Sequence, residues 1–185
     1  MNLKGFKGVL IYTTAIFLLS AVYSLYVFFF YPPFDEKETK LHEIGEVFGE
    51  AGLWLLVFIY GRTLLKIIWG KGKIAQRLLP DYYPSSKLSV VNQFLGLLNR
   101  THVYFGITAV AVILIHVAMM GIPMQILFFP ALIALVVWQG LFGLFLTWRY
   151  TPQQIRKFSY LVHAQFLTGI MIGFFAIFGH MLIET

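Results

Sequence analysis

Residues 101–121 read THVYFGITAVAVILIHVAMMG, an apolar stretch that contains two histidines, His102 and His116. A helix needs about 20 apolar residues to cross the hydrocarbon core of a bilayer, so this stretch predicts a transmembrane helix. An ionisable or coordinating side chain is costly in hydrocarbon and by default indicates a functional site. The stretch therefore predicts both a membrane location and a site inside the membrane.

Four further apolar stretches have the length and composition of membrane spans. With the first they predict five spans, at residues 9–31, 46–68, 101–121, 124–148 and 158–183. The chain of 185 residues is 59% hydrophobic and 12% charged, which lies outside the range of soluble globular proteins. We therefore predict an all-α integral membrane bundle of five transmembrane helices, a single domain over residues 1–185 that is surrounded by the lipid bilayer.

The distribution of charge predicts the orientation of this bundle. Of the 14 lysines and arginines, all but Lys37 and Lys40 lie before the first span, in and around the connection between spans 2 and 3, or between spans 4 and 5. The segment between spans 1 and 2 is acidic. Because cytoplasmic loops are enriched in basic residues, the N-terminus is predicted in the cytoplasm and the C-terminus outside, in a cell (inner) membrane. The net charge of +6 follows this topology and does not indicate nucleic-acid binding.

Several classes of chemistry have no basis in the sequence. The chain has no cysteine, which excludes a disulfide, a thiolate-ligated cluster and a covalently attached c-type haem. It contains no Gly-rich dinucleotide fingerprint and no P-loop. Five spans leave little chain over, so we expect no NAD, FAD or ATP domain within these residues. Any metal is expected on histidine, carboxylate or backbone ligands.

The fifth predicted span carries a second pair of histidines, His163 and His180. Spans 3 and 5 run in the same direction, so His102 is level with His163 near the cytoplasmic side, and His116 is level with His180 toward the outer side. The two levels are about 21 Å apart along span 3, which leaves room for two stacked porphyrins. Because imidazole is a common axial ligand of haem iron, we predict that these four side chains hold two haem b groups.

The spacing on span 5 leaves a single haem open as an alternative. His163 and His180 are 17 residues apart, which in a straight helix is about 100° of rotation, against about 40° for the pair on span 3. A tilt, or a kink near Gly169 or Gly173, would absorb the difference. A second alternative is that the histidines only make hydrogen bonds between helices.

Basic residues near the cytoplasmic histidines are candidates for contacts with haem propionates. They are Arg100, Arg149 and Arg156. Arginine binds carboxylates well, although the positive-inside rule alone also requires basic residues at this level. At the opposite end of the bundle, His42, Glu46 and Glu50 are candidates for a quinol or outer-face site. For these three, the alternative is a solvated helix start, where acidic residues favour the helix dipole.

Residues 89–100 precede the third span and allow two interpretations. Val90, Val91 and Phe94 are among their apolar side chains, which suits a short interfacial helix on the cytoplasmic surface. The same residues could also be an early start of the third helix. Pro152 suits the first turn of a helix that leads into the fifth span.

Three motifs in these spans resemble the ferric-reductase-like transmembrane domain, which NADPH oxidases, ferric reductases and the haem subunit of periplasmic methionine sulfoxide reductase share. Residues 49–58, GEAGLWLLVF, are similar to its first glycine-containing core helix. Arg100, Gly106 and His116 resemble its Arg…Gly…His helix. Residues 147–163, with basic side chains before His163, resemble its basic loop and Leu-x-His helix start.

The resemblance implies the haem-bearing core of that family, with electrons supplied by another protein or by quinol. The chain departs from the family at Ala176, where a second histidine of this helix usually stands. Family members also often have six spans, and the oxidases carry a flavin domain. Other membrane cytochromes b, including b561-like and quinol-oxidising subunits, remain alternative relatives.

The predicted function is therefore a membrane di-haem cytochrome b that relays electrons from a cytoplasmic-side or quinol donor to an outer-face acceptor. It would act as the electron-transfer subunit of an oxidoreductase complex with other redox proteins. One alternative is a single-haem, quinol-reactive or metal-reducing subunit of a larger oxidoreductase. The other is a haem-free membrane anchor for redox partners.

Overall fold

The computed structural model of the chain describes residues 4–31, 40–69, 76 and 89–183. These residues form α1 (Lys4–Phe30), α2 (Lys40–Ile68), α3 (Ser89–Met120), α4 (Phe128–Thr147), α5 (Gln153–His163) and α6 (Phe166–Met181). The described residues contain no β-strand, and the prediction of an all-α protein is confirmed.

Four of these helices, α1 to α4, are long and apolar enough to cross a membrane. α5 and α6 form a pair bent by 51°, and together they make a fifth candidate span. Large apolar side chains point outward from the bundle, among them Phe29, Trp54 and Tyr104, which are 72%, 65% and 74% exposed. Such a surface would be a liability in water but is what lipid contact requires.

The helix boundaries differ from the predicted spans in two informative places. α3 begins at Ser89 and is continuous to Met120, so residues 89–100 are an early start of that helix rather than a separate interfacial one. α4 begins at Phe128 rather than at residue 124. A turn precedes it, in which Gly121 has a φ of +80° and the amide of Ile126 donates to the carbonyl of Pro123. A positive φ is readily adopted by glycine, which has no Cβ.

Of the ways in which the spacing of His163 and His180 could be absorbed, a bend is present, but it is not at Gly169 or Gly173, since both glycines lie inside α6. The break lies earlier, at Ala164 and Gln165, directly after His163. Gln165 has extended backbone angles, φ −82° and ψ 111°, which interrupt the helical hydrogen-bond ladder. Helix α5 begins after Pro152, as expected for a residue that suits a helix start.

Helices α2 and α3 pack along each other as an antiparallel pair. Small residues of α2 allow the close approach: a Cβ on Gly45 would lie 2.6 Å from Sδ of Met120, and one on Gly52 would lie 2.9 Å from Cγ1 of Ile113. Further along, the rings of Phe58 and Phe105 are 4.4 Å apart. This register matches residues of α2 with progressively earlier residues of α3.

The remaining helices form the other side of the bundle. α1 packs on α6 and α4 packs on α5 and α6. At one end, a buried apolar cluster joins the end of α1, the start of α4 and the end of α6. Its members are Val27, Ile126, Phe128, Phe129 and Leu182. His180, in the last turn of α6, lies beside this cluster. Its ring centroid is 5.5 Å from that of Phe129.

Candidate functional site

A gap separates α3 from the bent pair α5 and α6. Within the described residues, no Cα of α3 lies within 8 Å of a Cα of α5 or α6, although each of these helices packs closely against others. The four membrane histidines project into this gap, with His102 and His116 on one side and His163 and His180 on the other. The imidazole rings therefore approach one another between helix backbones that are more than 8 Å apart.

The structure brings His102 and His163 together, and we call them the first pair. Their ring centroids are 5.9 Å apart, and the ring planes make an angle of 59°. His102 lies in the first half of α3, and His163 is the last residue of α5. Both side chains are partly buried.

His116 and His180 form the second pair. Their ring centroids are 6.2 Å apart with an angle of 26° between the planes. His116 is partly buried and His180 is exposed, at the end of α6. Both pairings are those expected from the direction of the spans. The structure also shows why the 17-residue spacing is compatible with them, since the break at residues 164–165 separates the two histidines into differently directed helices.

Backbone carbonyls orient three of the four rings. Nδ1 of His116 is 2.8 Å from the carbonyl oxygen of Gly45, and Nδ1 of His163 is 3.0 Å from that of Gln139. His180 makes the corresponding contact within its own helix, at 2.8 Å. A carbonyl only accepts hydrogen bonds, so in the neutral ring Nδ1 carries the proton and Nε2 keeps a free lone pair. A partner of this kind fixes the tautomer and orientation of metal-binding histidines.

His102 differs from the other three. Its Nδ1 is buried and has no hydrogen-bond partner, and the side-chain Nε2 of Gln139 is in the same condition. A buried polar atom without a partner costs about 1–3 kcal/mol. His102 is a member of the first pair, and Gln139 lies next to it, because the backbone carbonyl of Gln139 accepts the hydrogen bond from His163.

Two glycines make room for the rings. A Cβ on Gly49 would lie 2.7 Å from Cε1 of His116, and one on Gly143 would lie 3.0 Å from Cε1 of His163. A Cβ at position 49 would require the His116 ring to move, and one at position 143 would require a shift of a few tenths of an ångström at His163. Gly49 is thus the more demanding of the two positions.

Other glycines border open space. Gly106 on α3 and Gly173 on α6 have no atom within 4 Å of the position that a Cβ would take. Gly106 is four residues from His102 and Gly173 is seven residues from His180, so each lies near the histidine face of its helix. Gly169 and Gly179, which also belong to the histidine-bearing segment, are instead covered by Tyr60 and by Phe129.

The arginines predicted to meet propionates make other contacts in the structure. The Arg149 guanidinium lies 4.8 Å over the ring of Tyr150. Nη2 of Arg156 donates to the carbonyl of Trp148 at 3.1 Å, which ties down the connection between α4 and α5. Arg100 is exposed. A role of these three side chains in binding a cofactor stays a prediction.

Two basic residues near the first pair were not expected there. Arg62 of α2 donates to Oδ1 of Asn99 from Nε at 3.1 Å and from Nη2 at 2.8 Å. Asn99 is one turn before His102 on α3, and Lys66 follows Arg62 by one turn of α2. From the sequence they read as ordinary basic residues at the cytoplasmic end of a span. Only the register of α2 on α3 could have identified them.

The acidic candidates lie at the opposite end of α2. His42, Glu46 and Glu50 occupy its first turns, and both glutamates are exposed. They are near the second pair, because Gly45 accepts the hydrogen bond from His116 and Gly49 contacts its ring. A quinol or outer-face role for them stays a prediction.

Comparison with protein-family models, with curated proteins and with solved structures gave no match for this chain. Within the described residues, histidines and carboxylates form no group of three or more that could hold a metal ion. The site is therefore characterised by its own geometry: two pairs of imidazoles, each pair facing across a gap between helices.

Proposed function

We propose that this chain is a membrane cytochrome b in which each histidine pair supplies the two axial ligands of a haem b. It would relay electrons between the two faces of a cell (inner) membrane. The observation that supports this most strongly is the pairing itself. Helix α3 and the bent pair α5–α6, whose Cα atoms stay more than 8 Å apart, present imidazoles to one another at two levels.

The distances between the rings fit an iron between them. A bond between a transition metal and an imidazole nitrogen is about 2.0 Å long, and a ring atom lies about 1.15 Å from its centroid. Two imidazoles opposed across one iron therefore have centroids about 6.3 Å apart. The values of 5.9 Å and 6.2 Å for the two pairs are close to this separation.

The number of ligands also favours a porphyrin over a bare metal ion. A metal held by protein ligands usually needs three or four of them, whereas each site here offers two imidazoles. An iron porphyrin brings four nitrogens of its own and needs only the two axial positions. The open space beside Gly106 and Gly173 supports the same interpretation, because a flat macrocycle needs room between the helices.

The protein's part in this function is to bind, orient and enclose. Haem supplies one-electron redox chemistry when it is bound. Carbonyls of Gly45 and Gln139 hold His116 and His163 in the tautomer that leaves Nε2 available. With both axial positions taken by histidine, no position is left for oxygen or substrate, which suits electron transfer. We also propose the orientation expected from the charges, with the first pair on the cytoplasmic side and five spans in all.

The resemblance to the ferric-reductase-like domain adds to this proposal, since in that family haems lie between helices of this kind. On this interpretation the chain works as the electron-transfer subunit of a larger oxidoreductase complex. Its donor is a cytoplasmic redox protein or a quinol.

An absorption spectrum of the purified protein tests the proposal directly. We expect b-type Soret and α bands, two haems per chain, and the low-spin electron paramagnetic resonance of bis-histidine iron. H102A and H163A should each lose the same haem, and H116A and H180A the other. The fifth histidine provides the matched control, because H42A should retain both haems.

Two results would count against the proposal. A correctly folded protein without haem would favour the alternative of a haem-free membrane anchor. A haem content that is unchanged in all four histidine variants would show that any bound haem is elsewhere. A ratio of one haem per chain, lost with only one of the pairs, would support the single-haem alternative.

A further inference from the structure

Arg62 is held in place beside the first pair by Asn99. Its Nε and Nη2 both donate to the same oxygen, at 3.1 Å and 2.8 Å. Asn99 is one turn before His102 on α3, so the guanidinium is directed toward the histidine level. Asn99 carries no charge, so within the described residues the positive charge of Arg62 is oriented but has no carboxylate partner.

Lys66 adds a second positive charge one turn further along α2. Arg62 and Lys66 are four residues apart, a spacing that places them on the same side of the helix. Both are partly buried, and at this spacing on one helix face their like charges repel each other. Two like charges in this position repel unless an anion lies between or beside them.

No carboxylate in the described part of the chain can be this anion. The described acidic residues are Glu43, Glu46 and Glu50, all in the first turns of α2. Glu50 is 12 residues before Arg62, or about 18 Å along the helix axis. Neither cation forms an ion pair with them.

The simplest alternative is that both cations extend outward to water or lipid headgroups, as basic residues at the ends of spans do. Arg62 does not fit that behaviour, because its guanidinium turns toward α3 and its hydrogen bonds run to Asn99. Lysines such as Lys7, which is exposed near the start of α1, show the ordinary outward arrangement.

We propose that Arg62 and Lys66, positioned by Asn99, form an oxyanion-binding site next to the His102–His163 pair. A membrane offers two sources of such an oxyanion here: a propionate of the porphyrin, which rests on the proposed function, or the phosphate of an anionic lipid. In both cases, the Arg62 guanidinium would donate to a carboxylate or phosphate oxygen from the N–H groups that are not bonded to Asn99.

The first experiment tests the propionate. Haem loss to an acceptor globin is followed by absorbance in wild type, R62Q/K66Q and the charge control K7Q, using either haem or its dimethyl ester. In wild type we expect the dimethyl ester to leave the first site about tenfold faster than haem, since a charge-assisted hydrogen bond is lost. In R62Q/K66Q, haem should leave as fast as the ester, with no further effect of esterification. K7Q should behave as wild type.

The second experiment tests the lipid. The thermal unfolding midpoint is measured in nanodiscs with and without phosphatidylglycerol. If a lipid phosphate occupies the site, wild type and K7Q are stabilised by phosphatidylglycerol and R62Q/K66Q is not. This measurement needs no haem, so it tests the oxyanion site even if the proposed cytochrome function fails.

The proposal is overturned if R62Q/K66Q responds to esterification and to phosphatidylglycerol as wild type does. It is also overturned if wild type responds neither to esterification nor to phosphatidylglycerol, the result expected if Asp81, the single carboxylate of residues 69–100, neutralises the two cations. Absence of haem from all variants would reject the cytochrome function alone. R62K, which keeps the charge, should lie between wild type and R62Q.

Discussion

At the scale of single residues, the ring positions depend on atoms that carry no chemistry of their own. Gly49 and Gly143 admit the imidazoles of His116 and His163, and backbone carbonyls orient them. A search of the sequence for ligand residues does not identify these glycines, because a glycine among apolar residues has many structural uses. They are nonetheless the positions at which a small change should affect one histidine pair and spare the other.

Gly49→Ala tests this selectivity. Its Cβ would lie 2.8 Å from Nδ1 of His116, so the ring must move and its hydrogen bond to Gly45 must break. We expect loss of the haem bound by the second pair, retention of the other haem, and destabilisation by about 1–3 kcal/mol, as for overpacking elsewhere. Haem content and redox-difference spectra measure this.

Gly61→Ala is the matched control for that substitution, because it lies on the same helix and has no atom within 4 Å of the added methyl. We expect it to keep both haems. If Gly49→Ala kept full occupancy of both sites, the packing of Gly49 on His116 would have no part in ligand placement.

At the scale of helices, the break between α5 and α6 separates His163 and His180 into helices of different direction. Each can then face its partner histidine of α3. The sequence predicts one continuous span here, since Ala164 and Gln165 are both compatible with a helix. The contact between α2 and α6 also depends on a few residues. The ring of Tyr60 covers Gly169, and a Cβ at position 169 would overlap the ring. This contact lies only six residues after His163.

Gly169→Ala should therefore force α2 and α6 apart. We expect a lower unfolding midpoint, with a destabilisation of about 1–3 kcal/mol from overpacking. Tyr60→Ala removes the ring that the new methyl meets, so adding it to Gly169→Ala should recover part of the loss. A double variant whose loss equals the sum of the two single losses would show that the two residues do not interact.

The candidate site was predictable from the sequence to the extent that it depends on topology. The direction of spans 3 and 5 follows from charge, and it places His102 level with His163 without knowledge of side-chain packing. The position of Arg62 beside the first pair was not predictable, because it depends on the register between α2 and α3. That register results from glycine packing and from the Phe58–Phe105 contact, which hydropathy does not encode.

At the scale of the whole molecule, α2 places opposite charges at the two histidine levels. Arg62 and Lys66 are near the first pair, whereas Glu46 and Glu50 are near the second. Positive charge stabilises a reduced haem and negative charge an oxidised one, since reduction adds an electron. The glutamates are exposed and their effect is screened by solvent, so the partly buried cations dominate when the oxyanion that they bind is a propionate of the first haem itself; a lipid phosphate there would cancel their effect.

We accordingly expect the first site to have the higher midpoint potential, by roughly 60 mV or more, which is about a tenfold difference in the one-electron equilibrium. A redox titration should resolve two components. In H116A only the higher component should remain, and in H102A only the lower. Equal potentials, or the reverse assignment, would contradict the charge argument.

The gap beside α3 has a consequence for how the protein is made in the cell. Helices α2 and α3 form one half of the bundle, and α1, α4, α5 and α6 form the other; the halves meet where α3 packs on α4 and where Tyr60 of α2 covers Gly169 of α6. A haem bound between facing imidazoles would add a further link between the two halves. On the proposed function, chains without haem would lack this additional link and would be degraded faster by membrane proteases, so the supply of haem would limit the abundance of the protein.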